Sequence, residues 1–308
     1  MLCIHIGTGK AGSTSIQSFI KSQRANISHG QLDALEIGNS WKIAASTGTP
    51  EAKKYFVEKI KLLSEDEFLK LKQVFWAKVE AEVETSDYTN FVASSEFIYQ
   101  LVQRENDILQ LKRNLIRIFG EVKIILYFRN QLDYTRSVYS QMVTGTTAET
   151  QAFQKFMTER SYADFLVDYA TQIKLWTDVF GFDRISATVF DRRNFSNGDL
   201  IEDFCSRAGL SLATQPASAQ CRVANASPCY SELVIQRHLN MLGLHGHLPW
   251  ILRKIRGAVL LLARTLAPRL PFPSDNDDGI LLEISDGNAW LNERFFSDLP
   301  VQLPVENH

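Results

Sequence analysis

The sequence predicts an α/β protein built in three layers, a mostly parallel sheet with helices on both faces. Three observations carry that prediction. Short apolar runs alternate with helical stretches over roughly the first 210 residues, the pattern of repeated strand-helix-strand units. The run Val122–Phe128 is nearly continuous in its hydrophobicity, which suits a strand covered on both faces. With 308 residues, 45% hydrophobic and 22% charged, the chain can bury a large core. A single domain over 1–308 is expected, with a core at about 1–210 and a mainly helical remainder at about 211–308.

The elements follow in order. Residues 2–6 are a short apolar run ending at Gly7, read as a buried strand, and 13–23 read as the helix after it. Residues 51–84 place Phe56, Ile60 and Leu63, then Phe68, Leu71 and Phe75, at helical spacing among charges, so one long amphipathic helical region is expected. Residues 90–95 form a second strand ending before Glu96. Residues 108–119 form a helix closed by Gly120. Val122–Phe128 is the third strand and is expected to be central. A helix over 134–143, a loop over 145–148 and a helix over 162–180 ending at Gly181 come next. Residues 185–190 are the fourth strand, and Leu200–Ala208 is a helix capped by Gly209. Beyond residue 211 the pattern weakens, and 215–227 read as a loop.

Composition excludes several classes. Lys plus Arg is 33 and Asp plus Glu is 35, a formal net charge of −2, so no global basic field points to nucleic acid. Any anion site has to be local. The cysteines Cys3, Cys205, Cys221 and Cys229 form no CxxC pair and read as reduced thiols of a cytoplasmic protein. Cys221 and Cys229 could pair or share a metal, but their spacing matches no standard zinc pattern, and no metal is expected. No basic segment and longer apolar stretch precede the first strand, so no secretory signal is expected. The longest apolar run, 258–263, is far short of the ~20 residues that span a bilayer. Residues 249–273 interleave Arg253, Lys254, Arg256, Arg264 and Arg269 with apolar residues. They suit either peripheral contact at the inner face of a membrane or a packed helix with snorkelling arginines.

In an open parallel sheet, ligands bind beyond the carboxyl ends of the strands. The residues placed there are 7–15, Glu96, Arg129 and Asp191. Gly7-Thr8-Gly9-Lys10-Ala11-Gly12-Ser13-Thr14-Ser15 joins a strand to a helix. Its glycines allow close backbone approach, its hydroxyls sit at the helix start, and the helix N-terminus favours an anion. Lys10 adds a point charge. A Walker A loop has its lysine after the last glycine, whereas Lys10 comes two residues before Gly12. The strand over 122–128 ends in Arg129, not in a magnesium-binding carboxylate.

Lys10-Ala11-Gly12-Ser13-Thr14 resembles the 5′-phosphosulfate loop, K-x-G-[ST]-[ST], of sulfotransferases that use 3′-phosphoadenosine 5′-phosphosulfate (PAPS). The family's second signature, an Arg at a strand end and a Ser eight residues on, is matched by Arg129 and Ser137. Val189-Phe190-Asp191, then Leu200-Ile201-Glu202-Asp203-Phe204 and Gly209-Leu210, are similar to a third stretch, and the three occur in family order. Asn288-Ala289-Trp290-Leu291 resembles bacterial members that act on carbohydrates. Two departures stand out: Ser15 occupies the place where many members carry an adenine-stacking Trp, and the late R-K-G motif is missing, with Arg222, ahead of Asn225 and Ser227, as its nearest substitute.

The resemblance implies the P-loop-like sulfotransferase fold and an enzyme of EC 2.8.2 type. PAPS would donate a sulfuryl group to a carbohydrate or glycolipid hydroxyl by metal-free in-line transfer, releasing 3′,5′-ADP. Lys10, Ala11, Gly12, Ser13, Thr14, Ser15, Arg129 and Ser137 would hold the nucleotide, and Lys10 would also stabilise the charge that builds on the leaving oxygen. Arg136, one position from Ser137, is either an alternative partner or solvated. Glu96 is the candidate base; as a residue at a helix start it could equally serve the helix dipole. His29 is a second candidate base, His5 reads as core, and His245 and His247 read as a surface turn. The acceptor pocket is expected from 26–56 and 140–165. Two other readings stay open: a P-loop small-molecule kinase, and a sulfotransferase-like binding module without catalysis.

Overall fold

The computed structural model describes residues 1–24, 26–159, 168–211, 228–246, 249–266, 268–274 and 277–305. Four strands, β1 (Leu2–Gly7), β2 (Phe91–Ser94), β3 (Val122–Phe128) and β4 (Ile185–Val189), form one parallel sheet in the order β2-β1-β3-β4. The α/β class with a parallel sheet is therefore observed, and β3 is interior as its apolar run requires. The register pairs Leu2 with Phe91 and Val122, and Phe128 with Val189. It slips between His5 and Gly7 on the β3 side. All four carboxyl ends therefore lie along one sheet edge.

The helices are α1 (Ser13–Ser22), α2 (Trp41–Ser46), α3 (Pro50–Lys53), α4 (Glu65–Glu84), α5 (Glu96–Leu101), α6 (Glu105–Phe119), α7 (Gln131–Thr144) and α8 (Phe153–Glu159). Tyr169–Phe180, Leu200–Ala208, Tyr230–Met241, Trp250–Leu266 and Asp277–Phe295 follow. Asp168 caps Tyr169–Phe180 by accepting from the Thr171 N–H, and the rest of the expected 162–180 helix lies outside the described residues. Gly120 and Gly209 end their helices with positive φ, as the sequence suggests.

The expected single helical region over 51–84 is corrected. Pro50–Lys53 passes into a wider π turn over Lys54–Lys59, the chain breaks at 60–64, and α4 starts afresh. Ser64 accounts for the restart. Its Oγ accepts from the Glu67 N–H at 3.3 Å, and Glu67 Oε2 accepts from the Ser64 N–H at 2.8 Å. This reciprocal cap satisfies two helix-end donors, so local hydrogen bonding overrides the continuous apolar spacing.

The chain groups into two compact units. The first, Met1–Arg129, Asp168–Gln220 and Gly287–Leu303, contains the sheet. On one sheet face Cys3, Val92, Ile125 and Tyr127 pack with Ile16, Phe19 and Ile20 of α1 and with Phe204 and Ala208. On the other, Phe128 meets Tyr99, Tyr169 and Phe296. Alternate residues of each strand thus bury into opposite helical layers. The second unit, Asn130–Val167, Cys221–Asp286 and Pro304–His308, has its own core. There Tyr139, Phe153, Phe156 and Leu233 pack with Ile280 and Ile284.

No helix among the described residues is long and apolar enough to cross a membrane. Cys3 and Cys205 are buried free thiols and Cys229 is free and half-buried; Cys221 lies outside the described residues.

Candidate active site

The strand order fixes where a site can form. The chain leaves β1 and returns as β2 on one side, but leaves β3 and returns as β4 on the other. The connections therefore diverge between β1 and β3, the place where open parallel sheets bind ligands. Lys10 follows β1 and Arg129 follows β3. The structure brings them together: Arg129 Nη1 donates to the Lys10 carbonyl at 3.0 Å. Tyr169 Oη donates to the Arg129 carbonyl at 2.9 Å and fixes the end of β3.

The loop after β1 is tied down from within. The Thr8 N–H and Oγ1 both donate to the Tyr127 carbonyl, at 2.9 and 3.0 Å. Ser13 Oγ donates to the Thr8 carbonyl at 3.3 Å. Two glycines are required by contact. A Cβ on Gly7 would lie 3.1 Å from Tyr99 Cβ and 3.7 Å from Glu96 Cα, so this glycine lets the start of α5 approach the loop. Gly12 has φ +80°, and a Cβ there would meet Leu200 Cδ2 at 2.4 Å and Phe190 Cε2 at 2.8 Å. Phe190 and Leu200, singled out in the sequence as part of a third signature, are the wall against which the loop turns.

These bonds sort the loop donors. The Ser15 and Ile16 N–H groups both donate to the Gly12 carbonyl, and the Ser13 hydroxyl is taken by Thr8. Ala11 is buried in the core and offers only backbone. The N–H groups of Ser13 and Thr14 begin α1 and have no intrahelical acceptor, and Thr14 is exposed. The dipole of α1 adds positive potential at the same point.

Two cations stand close together at the loop. Burial lowers the Lys10 pKa, the Arg129 charge lowers it further, and Glu96 acts in the opposite sense. Among the described residues neither Lys10 nor Arg129 forms an ion pair with a carboxylate. Two neighbouring cations repel, and a bound anion would relieve that cost.

Glu96 opens α5 at the same sheet edge, and Gln17 Nε2 of α1 donates to its Oε2 at 2.5 Å. An aromatic wall adjoins it. Tyr55 and Phe97 have ring centroids 5.2 Å apart, Phe56 packs beneath both, and Trp41 lies 5.2 Å from Phe56. Trp41, Tyr55 and Phe97 are half-exposed. Burial and then the Glu96 charge raise the Tyr55 pKa, which places this phenol in the field of the carboxylate.

The other sequence candidates are accounted for as follows. His5 is fully buried, its Nδ1 is 2.8 Å from Ser94 Oγ, and burial lowers its pKa to about 3, so it is core. His29 is buried, and its Nδ1 lies 3.0 Å from Ser28 Oγ. Asp191 caps the turn after β4, accepting from the Arg193 N–H and side chain, which hold its pKa at about 2. Ser137 is half-buried on α7, within the second unit. Arg136 is neither free nor solvated: it pairs with Asp277 at 2.5 Å and Asp133 at 3.5 Å. His245 is exposed, while His247, Arg222, Asn225 and Ser227 lie outside the described residues. Gln17 and the aromatic wall are absent from the sequence reading. For Gln17 a signal existed, since it stands one helical turn after Ser13 on α1.

No protein-family model matches the chain, and no curated protein does. Among solved structures, the crystal structure of a sulfotransferase from Alicyclobacillus acidocaldarius is distantly similar. It has 16% identity over 85% of this chain and 91% of that one, with a TM-score of 0.45. That likeness is too distant to say anything of the chemistry, which the loop and its neighbours have to carry.

Proposed function

We propose that the first unit is a sulfotransferase of the PAPS-using kind, with a carbohydrate or glycolipid hydroxyl as acceptor. The observation that supports this best is the meeting of Lys10 and Arg129 at the divergence between β1 and β3, with Glu96 at the same edge. The lysine ahead of the last loop glycine, and an arginine where a nucleotide kinase would carry a magnesium ligand, favour a sulfuryl donor over a nucleoside triphosphate.

In this reading the Ser13 and Thr14 N–H groups hold the 5′-phosphate, and the Arg129 guanidinium holds the 3′-phosphate. The acceptor oxygen attacks sulfur in line. The new O–S bond forms as the bond from sulfur to the bridging oxygen breaks, and its electron pair stays on the 5′-phosphate of 3′,5′-ADP. Lys10 stabilises that developing charge, and Glu96, oriented by Gln17, takes the acceptor proton. Half-exposed rings beside a catalytic carboxylate suit the flat apolar face of a sugar, so Trp41, Tyr55 and Phe97 are the acceptor platform.

The test is calorimetric titration with 3′,5′-ADP, and with ATP in the presence and absence of magnesium, followed by sulfuryl transfer from PAPS to a panel of glycans. Expected is magnesium-independent binding of 3′,5′-ADP that weakens about tenfold or more in Arg129→Ala. Lys10→Ala should lower kcat by about 10²–10³-fold. ATP binding only with magnesium, and none of 3′,5′-ADP, would replace this reading with phosphoryl transfer.

A further inference from the structure

The helix Trp250–Leu266 has no counterpart in the proposed chemistry, and its surface is unusual for a helix packed into a protein. It lies against Tyr230–Met241, yet of its own residues only Ala263 is buried. Trp250, Ile251, Ile255, Leu261, Leu262 and Leu266 are each more than half exposed. With a ~100° step per residue, Ile251, Ile255, Ala258, Leu262 and Leu266 line one stripe along the outer face. Its larger apolar side chains therefore face solvent.

The charge around that stripe is one-sided. Arg253, Lys254, Arg256, Arg264 and Arg269 fall between Pro249 and Pro273, and no Asp or Glu does, in a chain whose net charge is −2. Arg253 and Lys254 are exposed, and Lys254 sits over the Trp250 ring at 4.9 Å. Arg264 is 70% exposed and reaches Glu232 only at 3.6 Å. A second copy of this face is a poor partner, since it would set cations against cations. At 17 residues the helix is about 25 Å long, short of the ~30 Å hydrocarbon core, so it suits lying flat and not crossing.

We propose that Trp250–Leu266 docks the protein onto an anionic lipid bilayer. The apolar stripe enters the headgroup boundary, Trp250 sits at the interface, and the cations meet acidic headgroups. This inference stands apart from the reaction assigned to the first unit.

The test is flotation of the full-length protein with vesicles of phosphatidylcholine alone, or with about one-third phosphatidylglycerol, at low and high salt. Expected is binding to the anionic vesicles only, weakened at high salt. Leu262→Glu, and separately Arg253→Glu with Lys254→Glu, should each lower binding by about tenfold or more while leaving circular dichroism and nucleotide binding unchanged. No binding to anionic vesicles at low salt overturns the proposal. So does binding that both sets of variants retain. A dimer in light scattering that Leu262→Glu abolishes, without vesicle binding, would assign the face to a second copy instead.

Discussion

Glu96 and Gln17 separate two roles that a single mutation would blur. Gln17 donates to the carboxylate through the 2.5 Å bond to Oε2, whereas Glu96 is the proposed proton acceptor. Glu96→Gln should therefore lower kcat by about 10²–10⁴-fold, with affinity for 3′,5′-ADP unchanged. Gln17→Ala should lower kcat by only about tenfold, because the base survives but loses its orientation. Steady-state kinetics on both variants checks the order; equal losses would show that Glu96 acts through structure. Single residues at this edge are legible in the sequence when they lie just past a strand end, as Lys10, Glu96 and Arg129 do. Gln17 is not, since a glutamine on a helix face has no signature until its partner is known. Trp41, Tyr55 and Phe97 are hidden for the same reason: they come from α2, the π turn and α5, and only packing makes them one surface.

Among the elements, the strands are predicted within a residue or so, and the helices over 51–84 are not. Apolar spacing is a statement about which face is buried, and two helices in succession can present similar spacing to one core. What divides them is the hydrogen bonding of Ser64 with Glu67, which restarts the helix whatever the apolar spacing. Ser64→Ala should cost about 1 kcal/mol of stability, measured as a lower urea midpoint with an unchanged slope. The loop before α1 shows the converse. Its glycines are visible in the sequence, but the need for Gly12 comes from Phe190 and Leu200, residues almost two hundred positions away.

For the molecule as a whole, His5 contributes to the pH dependence of stability in acid. Its ring is fully buried beside Tyr127 and Phe204, and burial holds its pKa at about 3 against 6.5 in an open chain. The unfolded chain then binds a proton that the folded one refuses. The His5 contribution is complete above about pH 6.5 and is lost as the pH drops from 6.5 towards 3, by up to about 1.4 kcal/mol per pH unit. Urea midpoints at pH 7, 5.5 and 4.5 should fall more steeply for the wild type than for His5→Asn; parallel slopes would remove His5 as the cause. The α/β class, the four strands and the glycine-rich loop follow from alternation and residue type, which act over a few neighbouring residues and so are written locally. The strand order β2-β1-β3-β4 is not local. It decides that Arg129 reaches Lys10 across 119 positions and that Gln17 reaches Glu96 across 79. The first pairing exists because β3 enters beside β1 and the second because β2 lies on the other side of β1, outcomes of long-range burial that no stretch of sequence contains.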